Sequence, residues 1–97
     1  KNFPSGLAGR MKDFFGQRRE VYLVYLLLAQ GPEEPAPHWL FLIDFDGTEA
    51  SLFPQVAKAV QPYMKSGDSF ELMKATFRLL QVAAAKSEPI YQRHGYE

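Results

Sequence analysis

No cysteine occurs among the 97 residues, which removes disulfides, thiolate nucleophiles, zinc knuckles and dithiol redox motifs together. Long apolar runs are missing as well. The densest, Val21 to Ala29, falls far short of the roughly 20 residues a membrane-crossing helix needs, and no basic start with an apolar middle precedes it as in a signal peptide. Neither sign of charge is in surplus, with 11 Lys+Arg against 11 Asp+Glu. A nucleic-acid binder needs positive charge to displace phosphate counterions, so nucleic acid is not an expected partner. Together these absences lead us to expect a cytoplasmic protein with no membrane association. Histidine is scarce too. His38 and His94 have no partner histidine at ligand spacing, so neither a metal nor any other cofactor is expected.

What is present is ordinary globular composition, 46% hydrophobic and 23% charged, with aromatics raised to 14%. The length suits one domain, so residues 1–97 are read as a single unit. A start at Lys1 fits both a domain cut from a longer chain and a stand-alone version. Charge is unevenly laid out. Lys1, Arg10, Lys12, Arg18 and Arg19 face Asp13 alone in residues 1–19, a net +4, whereas residues 20–71 set Lys58 and Lys65 against eight acidic residues, a net −6. The basic residues near the start are read as the solvated face of a helix.

Leu7, Met11, Phe14 and Phe15 recur at helical spacing, predicting a helix from Ser5 to Arg19 with Ser5 as N-cap. Glu20 to Gln30 is rich in branched and aromatic residues and reads as a strand. Pro32, Pro35 and Pro37 then interrupt any ladder, and His38 to Asp46 reads as a second strand, paired antiparallel with the first. Ser51 is expected to cap a second helix, with Pro54 in its first turn and Phe53, Val56, Val60 and Met64 on one face. Pro62 should kink or tighten that helix before Gly67 ends it. Ser69 to Lys74 reads as a third strand, with Phe70 and Leu72 on one face. Thr76 to Lys86 reads as a last helix, with Phe77, Leu80 and Ala84 inward. The fold class is therefore α+β, a small mixed sheet of about three strands in the order helix, strand, strand, helix, strand, helix, with a βαβ unit between the second and third strands.

The two long strands carry the most informative pattern. Strand side chains alternate, which sends Val21, Leu23, Tyr25 and Leu27 to one side and Tyr22, Val24, Leu26 and Leu28 to the other, all apolar in character. The second strand repeats the doubling, with Trp39, Phe41, Ile43 and Phe45 opposed to Leu40 and Leu42. A sheet with one wet face would alternate apolar with polar, so these strands require cover on both sides, from the helices and, for any shortfall, from a partner.

One segment suggests chemistry. Residues 42–49, LIDFDGTE, match the Asp-x-Asp-Gly-Thr signature of haloacid-dehalogenase-type phosphotransferases. That resemblance implies Asp44 as nucleophile and Asp46 as general acid, with Mg²⁺ between carboxylate and phosphate. Against it stand the short length, the lack of a downstream acidic pair and the choice of only Lys65 and Lys74 as the lysine. The plainer reading is a turn out of a strand, where Asp and Gly are favoured. A calcium loop fails because Gln55 stands where a bidentate glutamate belongs. No nucleophile-elbow setting surrounds any serine.

Over most of its length the chain resembles the C-terminal domain of the enhanced-serine-sensitivity (SseB-type) proteins of bacteria. The resemblance rests on Glu20-Val21-Tyr22-Leu23-Val24-Tyr25-Leu26, on Trp39 to Asp46 with Gly47, on Gln61-Pro62-Tyr63-Met64, on Gly67 to Leu72 and on Glu88-Pro89-Ile90-Tyr91-Gln92-Arg93. These are packing and turn patterns, and no catalytic residue carries over with them. In that family the domain typically follows another, which would account for doubly apolar strands. The expected function is a non-catalytic interaction domain that engages a second domain, a protein partner or a homo-oligomeric copy through an apolar sheet face or edge. Tyr22, Tyr25, Trp39 and Phe41 are its candidate contact residues, and the alternative is a minimal Mg²⁺-dependent phosphotransferase using Asp44 and Asp46.

Overall fold

A computed structural model describes residues 6–64 and 69–93. Three α-helices and a four-stranded mixed sheet form an α+β fold, with α1 at Leu7–Gly16, β1 at Val21–Ala29, β2 at His38–Phe45, α2 at Glu49–Val60, β3 at Phe70–Lys74, α3 at Phe77–Lys86 and β4 at Tyr91–Gln92. The sheet order is β3-β2-β1-β4. The hairpin β1/β2 is antiparallel out to Ala29 opposite His38, leaving the proline-rich residues 30–37 as its loop. β2 and β3 pair in parallel around α2, as the βαβ expectation requires. β4 adds a fourth strand that sequence reasoning lacked, antiparallel to β1 at Leu23 and Val24.

The direction of the two crossovers sets the layers. From β2 the chain steps outward to β3. From β3 it returns across the whole sheet to β4, which runs parallel to β3 although they lie on opposite edges. Parallel crossovers keep one hand, so reversing the direction of travel moves the helix to the other face. Accordingly α1 and α2 cover one face and α3 covers the other.

The α1/α2 face holds the larger core. Leu7, Met11, Phe14 and Phe15 of α1 and Leu52, Val56 and Val60 of α2 meet Trp39, Phe41, Ile43 and Phe45 of β2, with Val21, Val24 and Leu26 of β1. The Phe15 ring lies 6.1 Å from that of Tyr91, which brings α1 over β4. Phe41 and Phe70 meet edge-on at 6.4 Å, so Phe70 and Leu72 of β3 belong to this face as expected.

Several local expectations are corrected. A β-bulge lies between Val21, opposite Phe45, and Leu23, opposite Asp44. The extra residue resets the alternation, so Val21 joins Val24 and Leu26, while Tyr22 joins Leu23, Tyr25 and Leu27. The cap of α2 is Thr48 and not Ser51: the extended backbone of Thr48 lets its Oγ1 accept the Ser51 N–H at 3.3 Å. Pro54 consequently falls in the second turn, and Leu52, not Phe53, is the fully buried residue there. The helix tightens into a short 3₁₀ turn at Gln61–Tyr63, as Pro62 led us to expect. The Ser5 cap and the Gly67 stop lie outside the described residues.

Candidate interaction surface

α3 begins where Thr76 Oγ1 accepts the Leu79 N–H at 3.2 Å. From there it crosses a sheet face made of Leu23, Tyr25 and Leu42, with Tyr22, Leu27 and Met73 around them. Leu79, Leu80 and Ala83 point inward, and Ala83 is the one buried residue of the helix. Phe77 and Ala84, expected inward, point outward instead. The stretch from Leu79 to Ala85 is almost wholly apolar, so periodicity alone could not choose which stripe faces the sheet. Phe77 sits at the first helical position beside the sheet edge, and there it is 78% exposed.

A single ten-residue helix does not cover the whole face. Beside its C-terminal half a groove of about 570 Å³ opens along the far end of the hairpin, with Leu27, Leu28, Leu40, Leu79 and Val82 among its walls and Lys86 at its side. Val82 is 47% exposed and Leu27 and Leu40 are half-buried, so apolar side chains meet solvent along this groove, while the 40%-exposed Leu28 lies on the other face beside Trp39.

The candidate contact residues divide sharply. Tyr25, Trp39 and Phe41 are 6%, 4% and 0% exposed and belong to the core, Trp39 also forming part of the groove wall. Tyr22 is half-buried at the bulge, its hydroxyl donating to Asp46 Oδ2 and its ring lying 5.3 Å from the Arg93 guanidinium carbon. That hydrogen bond, first among the causes, holds the Tyr22 hydroxyl above its ordinary pKa, because losing the proton would set two anions together. Leu28, Phe77 and Val82 were missed by sequence reasoning. The signal was present in the apolar excess of the last helix, but it did not say which side would remain outside.

The Asp-x-Asp-Gly-Thr segment leaves β2 as a turn. Gly47 takes φ +112°, a conformation that a side chain disfavours, and its carbonyl accepts the Lys74 ammonium at 2.5 Å. Asp46 is engaged by Tyr22, and Asp44 faces Leu23 in the ladder. Among the described residues β2/β3 is parallel, whereas β1/β2 and β1/β4 are antiparallel. Among the described residues no group of three or more His, Asp or Glu is arranged to hold a metal ion. None of the described helices is long and apolar enough to cross a membrane.

Compared with known families, residues 1–93 match the family described as SseB protein C-terminal domain. No curated protein and no solved structure matches the chain.

Proposed function

The chain belongs to the SseB protein C-terminal domain family, and from that premise we propose that it is a non-catalytic interaction domain whose α3 face engages another polypeptide. A second domain, a second copy or a separate protein would each fit the description. The observation that carries this reading is the unequal cover of the sheet, which leaves Val82 exposed and Leu27 and Leu40 half-buried along one apolar groove. Contiguous exposed apolar surface rimmed by polar groups favours association, since fully burying a Leu or Val side chain contributes about 1.5–3 kcal/mol. A rigid helix and sheet also cost little to order on binding. Tyr22 lies on the same side of the sheet, and Trp39 supports the groove from within.

Two measurements test the proposal. An apolar fluorescent dye should bind the wild-type protein and lose that binding in Val82→Asp combined with Leu40→Asn, with helix content unchanged. Sedimentation velocity across a concentration series should show association that the same double variant abolishes if the partner is a second copy. A monomeric wild type would remove the self-association version. Dye binding that is absent, or indifferent to both substitutions, would remove the reading altogether.

A further inference from the structure

His38 opens β2 with a carboxylate on each ring nitrogen. Nδ1 lies 2.8 Å from Oε2 of Glu34, and Nε2 lies 3.0 Å from Oε1 of Glu71. A neutral imidazole has one N–H and one lone pair, so it can donate to only one of them. The other contact would then set a lone pair against an anionic oxygen. Both distances are satisfied together by the imidazolium alone.

The two carboxylates come from separate parts of the fold. Glu34 belongs to the hairpin loop and is fixed there, its Oε1 accepting the Gly31 N–H at 2.8 Å and its carbonyl accepting the Gln30 amide at 2.9 Å. Glu71 belongs to the edge strand β3 and reaches His38 with its side chain half exposed. We propose that His38 is the protonation-operated pin of a clasp joining the loop over residues 31–37, β2 and β3. The clasp is closed on the imidazolium and opens on its β3 side when the ring is neutral. The order of release follows from Gly31: because Glu34 is already positioned, the neutral ring keeps its one N–H on Nδ1 and turns a lone pair toward Glu71.

The surroundings agree with this assignment. The side chain is only 14% exposed, and burial opposes its charge, but Glu34 and Glu71 outweigh that cost and hold His38 above its ordinary value of 6.5. The Gly31 N–H first, and His38 second, hold Glu34 below its ordinary 4.5. Across the ladder β1 brings Ala29, which has no charge, and among the described residues no other charged group acts on the ring. The clasp does not depend on what engages the α3 face.

An NMR titration from about pH 5 to about pH 8 tests it, following the ring signals of His38, the side-chain carboxyl carbon of Glu71 and amide exchange at Gly31, at Glu71 and at Trp39, whose N–H donates to the Ser69 carbonyl at 2.9 Å. His38→Gln assigns the His38 signal against that of His94. As pH rises, the Glu71 carboxyl shift should step with the His38 midpoint, and exchange at Trp39 and Glu71 should rise several-fold beyond the intrinsic pH effect while Gly31 stays protected. Glu71→Gln should keep the fold, lower the His38 midpoint and erase the step. A His38 midpoint at or below the ordinary value overturns the proposal. So does a β3 response that persists in His38→Gln, or the absence of any β3 response.

Discussion

The two faces of the sheet are built from the same pair of strands and differ little in composition, yet they are finished differently. On one, α1 and α2 bring seven buried residues against β1 and β2. On the other, α3 brings only Ala83. The hairpin is covered on both sides, as its doubly apolar pattern requires, but completeness of cover follows connectivity. The short step from β2 to β3 holds α2 close along β2, where α1 can share the face, whereas the return to β4 stretches α3 alone across all four strands. The face closed by two helices is a core. The face crossed by one is a core at its centre and a surface at its margin.

The comparison can be broken or sharpened by substitution, and the largest effect belongs to the closed face. Phe41→Ala should destabilise by about 3–5 kcal/mol, read from denaturant unfolding, because Phe41 is fully buried and its neighbours on both helices cannot collapse into the space. Equal losses for Phe41→Ala and for a groove residue such as Val82→Ala would show that the faces are not different after all. Next comes Leu42→Ala beneath α3, expected near the lower end of the roughly 2–5 kcal/mol range because a one-helix cover can settle inward. Ala83→Leu should cost about 1–3 kcal/mol, since the closest approach of α3 to the sheet depends on that small side chain. Val82→Asp should change stability by no more than about 0.5 kcal/mol while abolishing dye binding or association.

The smallest effect is the pH dependence from the clasp at the margin. His38 has a raised folded pKa, so its stabilisation is complete below its ordinary 6.5 and disappears as pH climbs through the raised value. Glu34 has a depressed one, so its stabilisation is complete above 4.5 and disappears as pH falls through the lowered value. The difference in Tm between wild type and His38→Gln should therefore be greatest in the mildly acidic interval between those two ordinary values and shrink on both sides. A difference that stays flat across the interval and beyond would detach the clasp from stability.

Much of the architecture was legible along the chain. The stripe Leu7, Met11, Phe14, Phe15 placed α1, and branched and aromatic runs placed β1, β2 and β3, because those signals extend over many residues. β4 escaped because two residues have no period. The bulge escaped because an apolar residue stands at every position through which the alternation could slip. Thr48 and Ser51, two hydroxyl residues three apart, are equivalent caps until the backbone chooses one. For the candidate surface, the doubled apolar pattern drew attention to the aromatics of the hairpin. Tyr25, Trp39 and Phe41 went inside because large rings remove the most surface from water, leaving Val82 at the margin of the α3 face.

The order of residues by itself determined that both sides of the β1/β2 hairpin must be sheltered and that the segment after Phe45 must turn, since alternation and turn chemistry act over a few neighbouring positions. Only the folded chain decided how far each side is sheltered, and which carboxylates meet His38. Those outcomes depend on the direction of a crossover and on contacts between residues far apart in the chain, and local periodicity holds no record of either.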